Sequence, residues 1–322
     1  MKAFVYTKYG PPDVLQLKEV EKPTPKDNEV LVKIYATSAN ASDWEMLNGT
    51  PLYTRLWGLL KPKYQILGSD IAGRVEAVGR NVTRFQQGDA VFGDIFESWG
   101  GFAECACAPE TALMLKPDSL TFEEAAAVPQ AALIALQGLR DKGKIQSGQK
   151  VLINGAGGGA GTFAVQIAKF FGAEVTGVDS TKKLDMIRSI GADLAIDYTQ
   201  EDFTKNGQRY DLILDFVASH SIFDYKQALT SNGVYVMVGG SVPHLFQTLL
   251  LGSFLSMIGS RKMGILAAKP NKGLAFMLEL IESGSVIPVI DKRFPLSEVP
   301  EALRHLGEGH VKGKVVITFD AE

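Results

Sequence analysis

The clearest pattern of apolar and polar positions runs from residue 150 to residue 179 and predicts one βαβ unit. Val151-Leu152-Ile153 is a short apolar run, typical of a strand buried on both faces. Apolar residues then recur at helical spacing between positions 160 and 171, and Gly172 follows where a helix would end. A second apolar strand begins at Glu174 and closes the unit at Asp179.

The first third of the chain has the alternating pattern of β-strands. Residues 3–6, 15–20 and 30–35 alternate, and glycines are spaced through residues 67–79, as bends and close packing require. A helix is predicted after Thr121, which forms a capping box with Glu124. Beyond the βαβ unit, strands and helices keep alternating to residue 238, which predicts a parallel, doubly wound sheet. The tail predicts two helices and two further β stretches.

The turn inside the βαβ unit has the composition of a phosphate-binding turn. Five of its seven residues are glycine, and Gly155, Gly157 and Ala160 satisfy the G-x-G-x-x-G/A pattern. Glycines let a pyrophosphate lie against backbone amides at the helix N-terminus, and a larger residue at Gly161 would push the helix off its strand. A structural turn is the alternative. The whole turn is predicted to bind a dinucleotide, namely Gly155, Ala156, Gly157, Gly158, Gly159, Ala160 and Gly161.

Ligands of such sheets bind at the carboxyl ends of the strands. We therefore add the end of the apolar strand 233–238 to the predicted coenzyme site, namely Val238, Gly239 and Gly240.

Composition excludes several classes of function. Basic and acidic residues nearly balance, 33 against 36, so nothing indicates a nucleic-acid partner. No signal-peptide core follows Met1 and no run reaches transmembrane length, so a cytoplasmic location is expected. Residues 245–258 are apolar but too short to span a bilayer. We expect a buried or interface helix there, with a hydrophobic substrate wall or a loose membrane contact as alternatives.

Three motifs together resemble the medium-chain dehydrogenase/reductase superfamily, specifically its zinc-independent quinone oxidoreductase-like branch. They are the glycine-spaced stretch 68–93, the Ala-Ala-Ala-Val-Pro sequence ending at Pro129, and the turn 155–161 with Ile190-Gly191-Ala192-Asp193 downstream. The resemblance covers essentially the whole chain. It implies an α/β protein with a GroES-like β domain over residues 1–121, rejoined by 273–322, beside a Rossmann domain over 122–272. It also implies a homo-oligomer, expected to be a dimer.

The residues argue against zinc. Metal-dependent members of the superfamily place a cysteine where this chain has Asn40, and His-Glu where it has Ser69-Asp70. A catalytic zinc needs three suitably placed protein ligands, and all four histidines lie in the second half of the chain. Cys105 and Cys107 are expected to serve packing. We therefore predict no metal site.

Without a Lewis acid, reduction of an electron-poor double bond is easier than oxidation of an alcohol. The resemblance implies hydride transfer from nicotinamide to a quinone or to the β-carbon of an α,β-unsaturated carbonyl, with a small hydrophobic electrophile as substrate. It places Asn40 at the nicotinamide or the acceptor oxygen and Pro129 at the coenzyme. Asp43 is included among the catalytic candidates, as a residue that supports the site structurally. Tyr53 is either a proton donor or orienting group, or an aromatic lid residue.

The sequence argues both ways on the choice of coenzyme. Asp179 ends the second strand where a carboxylate would bind the ribose hydroxyls of NADH and repel a 2′-phosphate. Yet Ser180 and Lys183 follow at once, and relatives that use NADPH have such residues with a tyrosine matching Tyr198. NADPH is favoured and NADH stays open.

Two other functions remain as alternatives. One is a catalytically idle NADPH-binding protein, as the family's lens crystallins illustrate. The other is an NAD-dependent alcohol dehydrogenase, which would contain zinc.

Overall fold

The computed structural model describes residues 1–319, apart from the side chain of Trp57. The chain divides into two compact units. Unit 1 comprises Met1–Ala131, Pro270–Lys272 and the chain from Ile290, and unit 2 comprises Ala132–Lys269 and Gly273–Val289. The domain limits expected from the sequence, after residue 121 and at residue 273, stay predictions. Residues 320–322, which the sequence assigned to the first domain, lie outside the described part.

The β-strands are, in chain order, β1 (Lys2–Val5), β2 (Gln16–Glu19), β3 (Glu29–Ala39), β4 (Asp70–Val78), β5 (Ala90–Asp94), β6 (Cys105–Pro109), β7 (Met114–Leu115), β8 (Lys150–Asn154), β9 (Glu174–Asp179), β10 (Leu194–Asp197), β11 (Tyr210–Asp215), β12 (Leu229–Met237), β13 (Lys262–Ile265), β14 (Ile290–Pro295) and β15 (Lys314–Thr318).

The α-helices are α1 (Ala41–Asn48), α2 (Phe122–Ala127), α3 (Pro129–Leu136), α4 (Gly159–Phe170), α5 (Leu184–Ser189), α6 (Ile222–Ala228), α7 (Val242–Gln247), α8 (Ser253–Ile258), α9 (Leu274–Glu282) and α10 (Val299–Gly307). Two π-helical segments, Gln137–Lys142 and Thr248–Gly252, continue α3 and join α7 to α8.

Unit 1 is built on a sheet in the order β14-β15-β3-β4-β5-β7, with β6 also paired to β3 and with β1 and β2 forming a separate pair. The long strand β3 lies at its centre, where its apolar side chains are buried. The closing strand β15 pairs with β3 in antiparallel register, with Val315 opposite Ala39. This register brings Lys314 beside Asn40, although the two residues are 274 positions apart.

Unit 2 has an all-parallel sheet in the order β10-β9-β8-β11-β12-β13, which confirms the predicted doubly wound Rossmann architecture. Val151, Leu152 and Ile153 of β8 are fully buried, as expected for a central strand covered on both faces. The strand order reverses between β8 and β11, because β9 and β10 follow on one side of β8 and β11, β12 and β13 lie on the other. The carboxyl ends of these two strands therefore flank the crevice in which such sheets bind ligands.

Capping residues and prolines explain where several helices begin in the structure. The capping box of α2 is present, because Thr121 Oγ1 accepts the Glu124 amide at 3.1 Å and Glu124 Oε2 accepts the Thr121 amide at 2.8 Å. The helix expected from residue 131 begins at Pro129, where a proline suits the first turn. The sequence did not predict α6 or β13, and β12 begins four residues earlier than expected.

Residues 245–258, expected to form a buried or interface helix, are buried along one side only. The segment is helical, but Thr248, Gly252 and Leu255 supply its buried residues, and several of its large apolar side chains are exposed. No helix in residues 1–319 is long and apolar enough to cross a bilayer.

Candidate active site

The glycine turn of unit 2 has the geometry of a phosphate-binding turn. Gly155 has a φ of +84°, which L side chains rarely adopt. A Cβ at Gly161 would lie 2.0 Å from the carbonyl oxygen of Gly155, so only glycine lets α4 pack onto the turn. Gly158 caps the helix in an extended conformation. The amides of the first turn of α4 have no intrahelical acceptor and are available to an anion.

The acid at the end of β9 is tied to this turn. The Asp179 carboxylate accepts the amide of Gly157 at 2.9 Å and the amide of Ser180 at 2.8 Å. Lys183 Nζ lies 3.2 Å from Asp179 Oδ1, and both side chains are less than one-tenth exposed. Asp179 therefore connects the glycine turn to the loop in which the sequence placed the coenzyme-selecting residues.

Tyr198 lies at the same end of the sheet. The strands β9 and β10 pair with Asp197 opposite Asp179, and the Tyr198 amide donates to the Asp179 carbonyl oxygen at 3.2 Å. Its side chain is 60% exposed, which leaves the ring available to a ligand. The structure therefore brings Asp179, Ser180, Lys183 and Tyr198 together.

Sequence reasoning missed the residue that links the other strand ends. Asp215 ends β11 fully buried, and its carboxylate accepts hydrogen bonds from Asn154 Nδ2 at 2.9 Å and from the Tyr235 hydroxyl at 3.1 Å. The Asp215 carbonyl oxygen accepts the amide of Val238 at 2.8 Å, which fixes the loop that continues into Gly239 and Gly240. The sequence signal for this residue was its place as an aspartate at the end of an apolar strand.

In unit 1 a buried polar cluster surrounds Asn40. Asn40 Nδ2 donates to Asp70 Oδ2 at 2.9 Å, and Asn40 Oδ1 accepts a short hydrogen bond from Lys314 Nζ. Lys314 Nζ also lies 3.5 Å from Asp70 Oδ2. Ser38 Oγ and the Gln130 amide complete the donors around Asp70, at 3.0 and 2.9 Å. The sequence analysis did not single out Lys314, whose partners lie in the first quarter of the chain.

Burial shifts the protonation of the carboxyls in this cluster. It raises the pKa of Asp43 to about 7 and the pKa of Asp94 to about 8, the latter with a further contribution from the nearby Asp70 charge. Burial also raises the pKa of Asp70, which the Lys314 ammonium opposes, and lowers the pKa of Lys314, which Asp70 opposes. The cluster holds a cation among three carboxyls out of contact with water.

The other predicted residues of unit 1 differ in their surroundings. Asp43 is fully buried, and its oxygens accept the amides of Asn40 at 2.7 Å and Gly68 at 2.9 Å, so it orders the backbone on either side. Pro129 precedes Gln130, whose amide contacts Asp70. Tyr53 is 43% exposed and its hydroxyl lies 3.4 Å from Glu45 Oε2. Burial and the Glu45 charge raise the pKa of Tyr53.

An apolar cleft of about 330 Å³ opens in unit 1 near α1. Its lining is Met46, Tyr64, Phe96, Glu97, Trp99 and Pro270.

The residues at the positions of a catalytic zinc do not fit that ion. Asn40, Ser69 and Asp70 offer no thiolate or imidazole, and the Lys314 ammonium already contacts Asn40 and Asp70. Within residues 1–319 no three His, Cys, Asp or Glu side chains are grouped as a metal would require. Burial raises the pKa of Cys105 and Cys107 to about 11, which disfavours the thiolates that zinc binds.

Comparison with known proteins identifies the family. Residues 26–118 match the family described as "Alcohol dehydrogenase GroES-like domain", and residues 190–317 match "Zinc-binding dehydrogenase". The chain is 36% identical to 2-methylene-furan-3-one reductase of Solanum lycopersicum, over 98% of this chain and 79% of that protein. It is 33% identical to an NADPH-dependent alkenal/one oxidoreductase of Arabidopsis thaliana, with the same coverage.

Solved structures agree with these relatives. The quinone oxidoreductase from Coxiella burnetii superimposes with a TM-score of 0.88 at 29% identity, over 99% of both chains. The glycine turn, the sheet order and these relatives lead to one conclusion: the chain is an oxidoreductase of the medium-chain dehydrogenase/reductase superfamily and belongs to its quinone oxidoreductase-like branch.

Proposed function

We propose that this protein is a zinc-independent, NADPH-dependent reductase of quinones or α,β-unsaturated carbonyls. One observation carries the proposal: the glycine turn 155–161 leaves the first amides of α4 available beside the Asp179–Lys183 pair. The relatives named as an alkenal/one oxidoreductase, a furanone reductase and a quinone oxidoreductase support the choice of acceptor.

The bound coenzyme supplies a hydride from the nicotinamide ring. The amides of residues 159–161 bind its diphosphate at the positive end of α4. Asn40 positions the nicotinamide or the acceptor oxygen, because Lys314 and Asp70 hold its amide in one orientation and leave its second N–H for a ligand. The Lys314 ammonium favours negative charge that develops beside Asn40. Tyr53 is the candidate proton donor because its hydroxyl stays protonated at neutral pH, and the raised pKa makes it a weaker acid than an ordinary tyrosine.

The preference for NADPH rests on Ser180, Lys183 and Tyr198. A 2′-phosphate would accept a hydrogen bond from the Ser180 hydroxyl and attract the Lys183 ammonium. Lys183 would then either leave Asp179 or contact both groups. We expect Lys183→Ala to raise the KM for NADPH about tenfold or more and the KM for NADH by less than about twofold. The matched control is Lys182→Ala, at the exposed neighbouring lysine, which should change neither value. An equal rise in both constants would contradict the phosphate role.

The substrate is proposed to be a small hydrophobic electrophile. The apolar cleft beside α1 and the exposed leucines around Tyr53 favour such a ligand. We also propose a cytoplasmic location and a homodimeric state. The location rests on the sequence composition, and the dimer rests on the family resemblance.

Turnover separates the proposed function from its alternatives. The purified protein should oxidise NADPH with 1,4-benzoquinone and with medium-chain enals, should keep this activity after dialysis against a chelator, and should contain no stoichiometric zinc. Tight NADPH binding without turnover of any electrophile would support a non-catalytic binding protein instead. Bound zinc with chelator-sensitive alcohol oxidation would support an alcohol dehydrogenase.

A further inference from the structure

Residues 216–219, which we call the β11 loop, have an unusual backbone that one side chain holds in place. Ala218 is buried and has a φ of +44°, a left-handed conformation that residues with a Cβ rarely adopt. The fully buried Asp215 carboxylate accepts the amide of Ala218 at 2.8 Å and the amide of Val217 at 3.0 Å. Such strain persists only where the surroundings impose it, and it concentrates at binding and catalytic sites.

The same carboxylate ties the β11 loop to the two neighbouring strands. Asp215 Oδ1 also accepts Asn154 Nδ2 at 2.9 Å, and Asp215 Oδ2 accepts the Tyr235 hydroxyl of β12 at 3.1 Å. Asn154 is the last residue of β8 and stands immediately before the glycine turn, and its carbonyl oxygen accepts the amide of Phe216 at 3.0 Å. Asp215 therefore connects the start of the glycine turn, the β11 loop and β12.

The β11 loop lies directly between the two glycine segments that the sequence assigns to the coenzyme. A Cβ at Gly155 would lie 3.0 Å from Val217 Cγ2, on the side of the glycine turn. A Cβ at Gly240 would lie 2.5 Å from Ala218 Cβ, on the other side. The Val217 side chain is half-exposed between them. The position of the β11 loop therefore determines the shape of the sheet edge between the two glycine segments.

The strand order assigns the β11 loop to one half of a bound dinucleotide. The residues proposed to select the coenzyme, Asp179 and Lys183 among them, follow β9, on one side of β8. A diphosphate at the start of α4, which follows β8, leaves the second nucleoside of the dinucleotide on the other side, at the ends of β11 and β12. The β11 loop lies at that end of the sheet, so it faces the nicotinamide nucleoside.

We propose that Asp215 is a positioning residue for the nicotinamide half of the coenzyme. Its carboxylate is buried beneath the β11 loop and acts through that loop, which it holds in the conformation that places Val217 beside the nicotinamide nucleoside. A fixed surface on this side keeps the reactive ring in one place, and correct placement of reacting atoms is a large part of catalysis. The inference rests on the proposed coenzyme binding and adds a residue outside the glycine turn and the coenzyme-selecting loop.

Calorimetric titration of the full chain with NADPH and with 2′-phospho-ADP tests this role, because the second ligand has the diphosphate and lacks the nicotinamide nucleoside. Asp215→Ala should raise the Kd for NADPH about tenfold and leave the Kd for 2′-phospho-ADP within about twofold of wild type. Asp215→Asn should restore most of the NADPH affinity, because its amide oxygen can still accept the loop amides and the Tyr235 hydroxyl can turn to accept its N–H. The matched control is Asp211→Asn, at the opposite end of the same strand, which should change neither Kd. The pair NADH and ADP repeats the comparison without the 2′-phosphate.

A milder variant keeps the test decisive if thermal unfolding shows that Asp215→Ala is not folded. Tyr235→Phe removes only the hydroxyl that contacts Asp215 Oδ2, and it should raise the Kd for NADPH about threefold without changing the Kd for 2′-phospho-ADP. Equal weakening of both ligands would show a structural role and overturn the proposal, as would unchanged NADPH binding in the folded variants. In that last case wild type still binds NADPH and the proposed function stands, whereas wild type that binds neither ligand refutes the proposed function and this inference together.

Discussion

At the residue scale, the cation beside Asn40 is the ammonium of Lys314. Burial determines how much this charge and its partner contribute to the free energy of unfolding. Lys314 is 2% exposed and Asp70 is fully buried, so neither charge is stabilised by water. Removing one partner of such a pair leaves the other charge buried and uncompensated, which costs more than the pair itself contributes. The pair therefore makes the cluster sensitive to single substitutions, and it keeps the Asn40 amide in one orientation.

We expect Lys314→Met to lower the free energy of unfolding by about 3 kcal/mol and to reduce kcat. The stability loss follows from the unpaired Asp70 carboxylate, and the kinetic loss follows from release of the Asn40 amide. Urea unfolding and steady-state kinetics with NADPH and benzoquinone measure the two effects. Lys312→Met, at an exposed lysine two positions earlier, is the matched control and should stay within about 0.5 kcal/mol of wild type.

The double variant Lys314→Met/Asp70→Asn distinguishes a charge effect from a packing effect. A neutral amide at position 70 needs no counter-ion, so stability should recover in part while kcat stays low. Additive losses in the double variant would show that the two side chains do not act as a pair.

Asp94 should make the stability of unit 1 depend on pH. Its folded pKa of about 8 exceeds the ordinary 3.8, so between about pH 4 and pH 8 the folded state binds more protons than the unfolded state. Stability is then greatest below this range and falls as pH rises through it. Asp94→Asn should come close to wild type near pH 4 and exceed its stability by about 1–3 kcal/mol near pH 9. Chemical unfolding at both pH values measures the difference, and equal effects at both would contradict the raised pKa.

At the element scale, the turn before α4 tests whether glycine is required for packing. A Cβ at Gly161 would collide with backbone at 2.0 Å, whereas a Cβ at Gly158 would meet the Gly155 carbonyl oxygen at an ordinary 3.5 Å. Gly161→Ala should therefore destabilise unit 2 by about 2 kcal/mol or more and weaken NADPH binding at least about tenfold. Calorimetric titration and thermal unfolding measure both. Gly158→Ala, as the control, should leave stability nearly unchanged because its backbone is extended.

The elements that sequence predicted well are those whose signals are local. The unit β8-α4-β9 follows from an apolar run, a glycine turn and a helical apolar period within thirty residues, and the structure has all three elements. The capping box at Thr121 was equally local. The short edge strand β13 was missed, because four residues that include Gly264 and Lys262 carry little strand signal. Residues 245–258 were expected to form a buried or interface helix, and their exposed outer side leaves the second of these open.

At the scale of the whole molecule, the sequence could not predict contacts between distant segments. Asn40 was predicted from its motif and Asp70 was noted only for replacing a zinc ligand, and the cation that joins them comes from β15, 274 and 244 positions away. That contact depends on the antiparallel register of β15 on β3, and one chain offers no signal for this register. The Asp179–Lys183 pair, by contrast, joins two residues only four positions apart, both of which the sequence had placed in the coenzyme loop.

Ligand-dependent stability connects the coenzyme site to the behaviour of the whole chain. A ligand that binds only the folded state stabilises it by RT ln(1 + [L]/Kd), about 2.7 kcal/mol at a hundredfold excess over Kd. NADPH should therefore raise the unfolding temperature by several degrees, and NADH at equal concentration should raise it less. Adenosine 2′,5′-bisphosphate should stabilise more than AMP, because only the former carries the phosphate proposed to meet Ser180 and Lys183.

Scanning calorimetry of wild type, Gly161→Ala and Lys183→Ala separates the two parts of this site. Gly161→Ala should reduce the shift with every nucleotide, because its collision with the Gly155 carbonyl displaces the turn whose amides are proposed to bind the phosphates. Lys183→Ala should keep the shift with NADH and AMP and lose only the surplus given by the 2′-phosphate. Equal shifts with both coenzymes in wild type would contradict NADPH preference alone, whereas the absence of any shift would contradict coenzyme binding at the turn and the proposed reduction with it.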